Sequence, residues 1–217
     1  KTFFEEIVKA SDVDLLYEIF GFVLIPNYHI QKAVILIGSG KNGKSVYLNL
    51  LRQFIGLENV AAESLQGISN DKFASFNLFG KVANIYPDLS STEISDSSIF
   101  KALTSGQDYI SAEQKFHDRF SFMNNAKLLF SCNQLPRTKD DSNAFMRRWV
   151  IITFPNTFEG KAEDKDLINK LISDEELSGL LNIALDKMYS LIETGEFSYG
   201  QSTEQIRDLY THLSDPV

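Results

Sequence analysis

The chain has 217 residues, of which 43% are hydrophobic, 23% charged and 12% aromatic, including 17 Phe. That is ordinary for a soluble globular protein and enough for one aromatic-rich α/β core with at most a small satellite. A net charge of −8 argues against broad nonspecific coating of nucleic acid, and a single cysteine, Cys132, rules out an internal disulfide.

The apolar runs "FVLI" and "VILI" are too short to span a bilayer, and no signal peptide opens the chain. A soluble, cytoplasmic protein with no membrane partner is expected. The start at Lys1 without Met and the stop at "HLSDPV" read as the edges of a longer polypeptide.

In chain order, "TFFEEIVKAS" and "DVDLLYEIFGF" predict a helical lead-in over residues 1–31, ended by Pro26. A buried strand is predicted at 32–37. A helix follows at 45–54, with Val46, Leu50, Leu51 and Phe54 on one face. "GKVANIY" (80–86) reads as a second strand, and "SDSSIFKALTSG" as a helix closed by Gly106. "AKLLFSC" (126–132) and "RWVIITF" (148–154) are two more apolar strands. Cys132 is thereby expected to be a core thiol and not a nucleophile. Beyond about residue 161 the pattern is helix-periodic throughout. The expected organisation is a lead-in (1–31), an α/β core (32–160) with a mainly parallel sheet sandwiched by helices, and a helical C-terminal segment (161–217).

The strongest local signal is "GSGKNGKS", a G-x-x-x-x-G-K-S phosphate loop between the first strand and the helix after it. Gly38 and Gly43 let the backbone curl so that the N–H groups of Gly38, Ser39, Gly40, Lys41, Asn42, Gly43, Lys44, Ser45 and Val46 surround the phosphates. Lys44 is predicted to reach the β- and γ-phosphates, and the Ser45 hydroxyl to ligate Mg²⁺. A chance match in a chain this long is on the order of 1%. ATP and Mg²⁺ are therefore the expected cofactors.

Such a site needs an acid at the end of a neighbouring strand. Asp88, two residues beyond the second apolar run, fits the metal role. Pro87 stands where a second, water-polarising acid is often found, which leaves the general base open between Asp88 and Glu93.

Residues 100–155, from "FKALTSG" through "SAEQKFHDRFSF", "LLFSCNQLP" and "FMRRWVIITFP", resemble the helicase part of plasmid and phage primase–helicases, a branch of the superfamily 3 helicases. The likeness extends to the phosphate loop, to "GKVANIYPDL" and to "TEQIRDLYTHLSDPV". It implies that Asn133 orients the attacking water, since an amide donates to phosphate and accepts from water at once. It implies that Arg148, or else Arg147, completes the site of a neighbouring subunit, which requires an oligomer and points to a hexameric ring. It also implies that "SAEQKFHDRFSF" is a hairpin entering a central channel, with Lys115, Phe116 and His117 on single-stranded DNA and Arg119 able to share the task.

The function so implied is an ATP-driven DNA helicase or translocase of a plasmid or viral replication protein. It would act on single-stranded and forked duplex DNA and be fused in its full chain to primase and further DNA-binding parts. A loader or remodeller without unwinding, or a scaffold that binds nucleotide without turnover, are the alternatives. His29 and His212 lack metal-ligand partners at useful spacing.

Overall fold

The computed structural model describes residues 2–71, 73–114, 116, 118–160, 164 and 166–214. Two lead-in helices, α1 (Thr2–Ile7) and α2 (Val13–Leu24), precede strand β1 (Ala33–Ile37) and helix α3 (Lys44–Ile55). There follow β2 (Val60–Ala61), α4 (Leu65–Asn70), β3 (Ala83–Tyr86), α5 (Ser98–Leu103), β4 (Tyr109–Ala112) and β5 (Phe120–Met123). Then come β6 (Lys127–Cys132), α6 (Asn143–Met146), β7 (Trp149–Thr153), α7 (Leu167–Leu171), α8 (Asp174–Thr194) and α9 (Thr203–Ser214).

The main sheet has five strands in the order β2-β3-β6-β1-β7, and every pairing is parallel. Both faces are covered, which is why its strands read as unbroken apolar runs and not as alternation. The pleat divides those runs. Val34, Leu36, Leu129, Val150 and Ile152 face a core closed by α1, α2, α3 and α8. Ile35, Leu128, Phe130, Trp149 and Ile151 face a second core built with α5, α6, α9 and the β4–β5 ribbon. The expected α/β architecture is thus the observed one, with a sheet that is wholly parallel.

Two details depart from the sequence expectation. The expected stripe on α3 omits Tyr47 and Leu48, yet these are among its most buried residues. The helix is wedged between the sheet and the lead-in, and the Tyr47 hydroxyl donates to the Leu16 carbonyl at 2.9 Å. The lead-in is correspondingly integral to the first core, since Phe4 packs on Tyr17, Phe20 and Tyr47. The segments β2 and α4 were not anticipated, each being shorter than a period count resolves.

Two side chains act on backbone edges. The Tyr199 hydroxyl accepts from the Ile151 N–H at 3.2 Å and donates to the Ile151 carbonyl at 3.1 Å, at the open edge of β7. Lys127, fully buried at the start of β6, donates to the carbonyls of Ile25, Asn27 and Asn125 at 2.9, 2.7 and 3.0 Å. Its ammonium also lies over the rings of Phe22 and Tyr28. Burial pushes it down to about 7.

Candidate nucleotide site and hairpin

In an open parallel sheet, ligands gather outside the carboxyl ends of the strands where crossovers leave in opposite directions. Here β1 leads past β6 and β3 to β2, whereas β7 lies on its other side. The phosphate loop leaves β1 at this point, and its Gly38 N–H donates to the Cys132 carbonyl of β6 at 3.3 Å.

Two glycines in the loop are required by space. A Cβ on Gly38 would lie 2.1 Å from Asn42 Nδ2 and 2.7 Å from the Phe154 carbonyl oxygen. Gly43, in the left-handed region at φ 87°, would meet Ile7 of α1 at 2.6 Å. The loop is therefore closed down between the end of β7 and the lead-in helix. The chain after β7 fastens both. Phe158 N–H donates to the Lys41 carbonyl at 2.8 Å, Asn156 Nδ2 donates to the Glu6 carbonyl at 2.6 Å, and Glu159 pairs with Lys41.

Lys44 is buried, and its ammonium donates to the Gly38 carbonyl at 2.6 Å and to Asn42 Oδ1 at 3.1 Å. Burial pushes it below the ordinary lysine value, while Cys132 and Asp88 pull the other way. Cys132 is a core thiol pushed up to about 12 by burial, with no thiolate character to offer as a nucleophile.

A cavity of about 860 Å³ opens over the loop. Its polar end is formed by Gly40 to Ser45 together with Asp88, which follows β3, and Asn133, which follows β6. Val46 also lines it. Residues far apart in sequence therefore meet because β1, β3 and β6 deliver their carboxyl ends to one rim. Apolar Phe3, Ile7, Phe158 and Leu167 line the cavity too, along with the carboxylates Glu6 and Asp164. These lead-in and post-β7 residues carry no motif; the only prior sign is the "FFEEI" apolar spacing ahead of the loop. Glu93, an alternative base on sequence grounds, is not among the cavity's lining residues and pairs with Lys139 at 3.3 Å. Among the described residues no group of three or more His, Cys, Asp or Glu is arranged to hold a metal alone.

The adjacent arginines differ sharply. Both sit just before β7, at the end of the sheet opposite the phosphate loop, where Ala33 N–H donates to the Arg148 carbonyl at 2.7 Å. Arg148 is buried, with Nε on Thr104 Oγ1 at 2.9 Å and another guanidinium N–H on the Ala144 carbonyl. Arg147 is exposed and donates to Gln31 Oε1 at 2.7 Å.

Strands β4 and β5 form an antiparallel hairpin, with Tyr109 opposite Met123 and Ala112 opposite Phe120. Its β5 strand is packed by Phe79 on Phe120 and Phe122, at ring distances of 5.0 and 5.4 Å. Phe116 lies in the turn at φ 67°, fully exposed. Lys115 and His117 lie outside the described residues. Arg119 is engaged by Glu113 across the neck.

The fold is similar to that of the NrS-1 C terminal region (305–718), with a TM-score of 0.64 and 16% identity over 91% of this chain and 51% of that one. A second form of that region matches at a TM-score of 0.61 and 15% identity, over 87% and 48%. JCV helicase, bound to a small molecule, matches at a TM-score of 0.46 and 14% identity, over 93% and 56%, too weak a likeness to weigh. The chain spans about half the length of these structures, and at such identities the likeness is one of fold. A family model described as a family of unknown function (DUF5906) matches residues 36–148, from within β1 to the start of β7. More than half of the sequence lies inside that match, and the chain belongs to this family.

Proposed function

We propose that the protein is the ATP-hydrolysing motor of a DNA helicase or translocase, acting in a hexameric ring around single-stranded DNA. One observation carries this reading: Lys44, Ser45, Asp88 and Asn133 line a single cavity at the carboxyl ends of three adjacent strands. A turn that merely bound an anion would not need an acid and an amide brought in from two other strands.

In this reading Lys44 exchanges its loop carbonyl for the β- and γ-phosphate oxygens of ATP. Ser45 and Asp88 would hold Mg²⁺, and so small a protein donor set suits an ion that keeps water and substrate phosphates as its other ligands. When bound, the ion supplies charge neutralisation between the β- and γ-phosphates. Asn133 orients the water. Asp88 is assigned as the acid at this end, because Glu93 is engaged elsewhere.

The arginine acting on a neighbour is assigned to Arg147 in preference to Arg148, because its guanidinium is exposed while that of Arg148 is buried and hydrogen-bonded within its own subunit. The hairpin is the DNA contact, with Phe116 offered for base stacking beside the flanking Lys115 and His117.

The test is the rate of ATP hydrolysis with and without single-stranded DNA, run beside a solution mass. Hydrolysis stimulated by DNA, abolished by Lys44→Ala in a folded protein, is expected. Turnover retained in Lys44→Ala would sink the site. Nucleotide binding without any turnover in the native sequence would favour the scaffold alternative.

A further inference from the structure

We infer that the arginine pair and the root of the β4–β5 hairpin form one linked unit, with Thr104 and Gln31 as the positioning residues between them. The inference rests on the functional reading above, in which Arg147 faces a neighbour's nucleotide and the hairpin faces DNA.

Two successive arginines reach two successive residues of the turn that joins α5 to β4, Arg148 directly and Arg147 through Gln31. Arg148 Nε donates to Thr104 Oγ1 at 2.9 Å, and that hydroxyl in turn donates to the Phe100 carbonyl at 2.8 Å. Arg147 donates to Gln31 Oε1 at 2.7 Å, and Gln31 Nε2 donates to the Ser105 carbonyl at 2.8 Å. Lys32 holds the Arg147 carbonyl at 2.6 Å. The far strand is tied to the same place, since Asn124, just after β5, donates to the Leu103 carbonyl at 2.9 Å.

Thr104, Asn124 and Arg148 are 0%, 3% and 6% exposed, so these bonds lie away from competing water. A buried, satisfied polar network is stiff, because breaking one member leaves a desolvated group without a partner. The N-terminal end of α5 is also held, by its cap residue Ser97 on Asp140, a carboxylate that Lys101 of the last turn also reaches. A displacement of the arginine corner is therefore carried to the hairpin root through a helix gripped at both ends.

The experiment compares the DNA-stimulated and basal ATPase of the full chain, at saturating ATP, in Thr104→Val, Thr104→Ser and Gln31→Leu. Thr104→Val keeps the side-chain shape and removes the acceptor. Basal turnover should persist while DNA stimulation falls about fivefold or more, the low end of usual coupling between sites. Thr104→Ser should restore it. Gln31→Leu, at a half-buried position, should shift stimulation the same way.

Stimulation unchanged in both Thr104→Val and Gln31→Leu overturns the inference. So does a parallel fall of basal rate, stimulated rate and thermal midpoint, which would mark the bonds as fold-holding only. A native protein that hydrolyses ATP but ignores DNA overturns the hairpin reading itself, and this inference with it.

Discussion

Glu6 and Asp164 also line the cavity, but in the proposed site the catalytic carboxylate is Asp88. It lines the polar end of the cavity, Pro87 precedes it, and no second acid stands beside it on the same strand end. Asp88→Asn should lower kcat by about 10²–10⁴, as the loss of a positioned acid–base group does, while nucleotide binding by the loop survives. A rate within a few-fold of native, measured in a steady-state assay, would move the catalytic acid elsewhere. Lys127 makes a different prediction at the same scale. Lys127→Met removes the donor to one buried and two part-buried carbonyls, and the relief of a buried charge offsets only part of that loss. Unfolding by urea should show a stability lower by about 2–4 kcal/mol with an unchanged slope. The arginines show where residue-scale reading of a sequence stops. "MRRW" announces an arginine pair, but which member is buried depends on Thr104 and Ala144, which only the tertiary fold brings to it.

At the scale of elements, the loop before α6 is organised by Asp140. Burial raises its carboxyl, but donation from Lys101, Ser142 and Ser97 outweighs this and holds it well below the ordinary carboxylate value. A carboxylate depressed in the folded state stabilises it above the unfolded value of 3.8 and loses that contribution as pH falls below it. Asp140→Asn should therefore be less stable than the native protein at pH 7, with the gap narrowing toward pH 2–3 in denaturant titrations. A gap that is constant with pH would mean the ionised form does no such stabilising. The elements legible in the sequence are the strands buried on both faces (β1, β3, β6 and β7), the phosphate loop, and the helices marked by apolar period or caps, including α1, α2, α3, α5, α8 and α9. The short β2 and α4 are not, because two and six residues repeat their periods too few times to stand out from the flanking chain. Nor is the role of α1 as a wall of the cavity, which arises from Ile7 meeting the loop at Gly43 and leaves no local pattern.

For the whole molecule, the proposed nucleotide cavity and the exposed Arg147 lie at opposite ends of the sheet, which matters for the proposed ring. One subunit cannot use both on the same nucleotide, and a head-to-tail arrangement brings one to the other. Arg147→Ala subunits mixed with native ones should therefore depress ATPase more than in proportion to their fraction. A strictly linear loss across the mixing series would argue for action within one subunit. Arg148→Ala should instead lower the thermal midpoint, since it orphans the Thr104 contact and the Ala144 carbonyl.

Such an assembly has to reckon with the rim of the sheet. Open strand edges invite other chains to add on, and β7 is an edge strand. The Tyr199 hydroxyl occupies both outward backbone groups of Ile151 in mid-strand, much as a partner strand would. Growth by strand addition is thereby obstructed from within. In the proposed ring, copies meeting at this edge would recognise one another through side chains, whose chemistry can respond to a nucleotide, more readily than through a backbone ladder at Ile151.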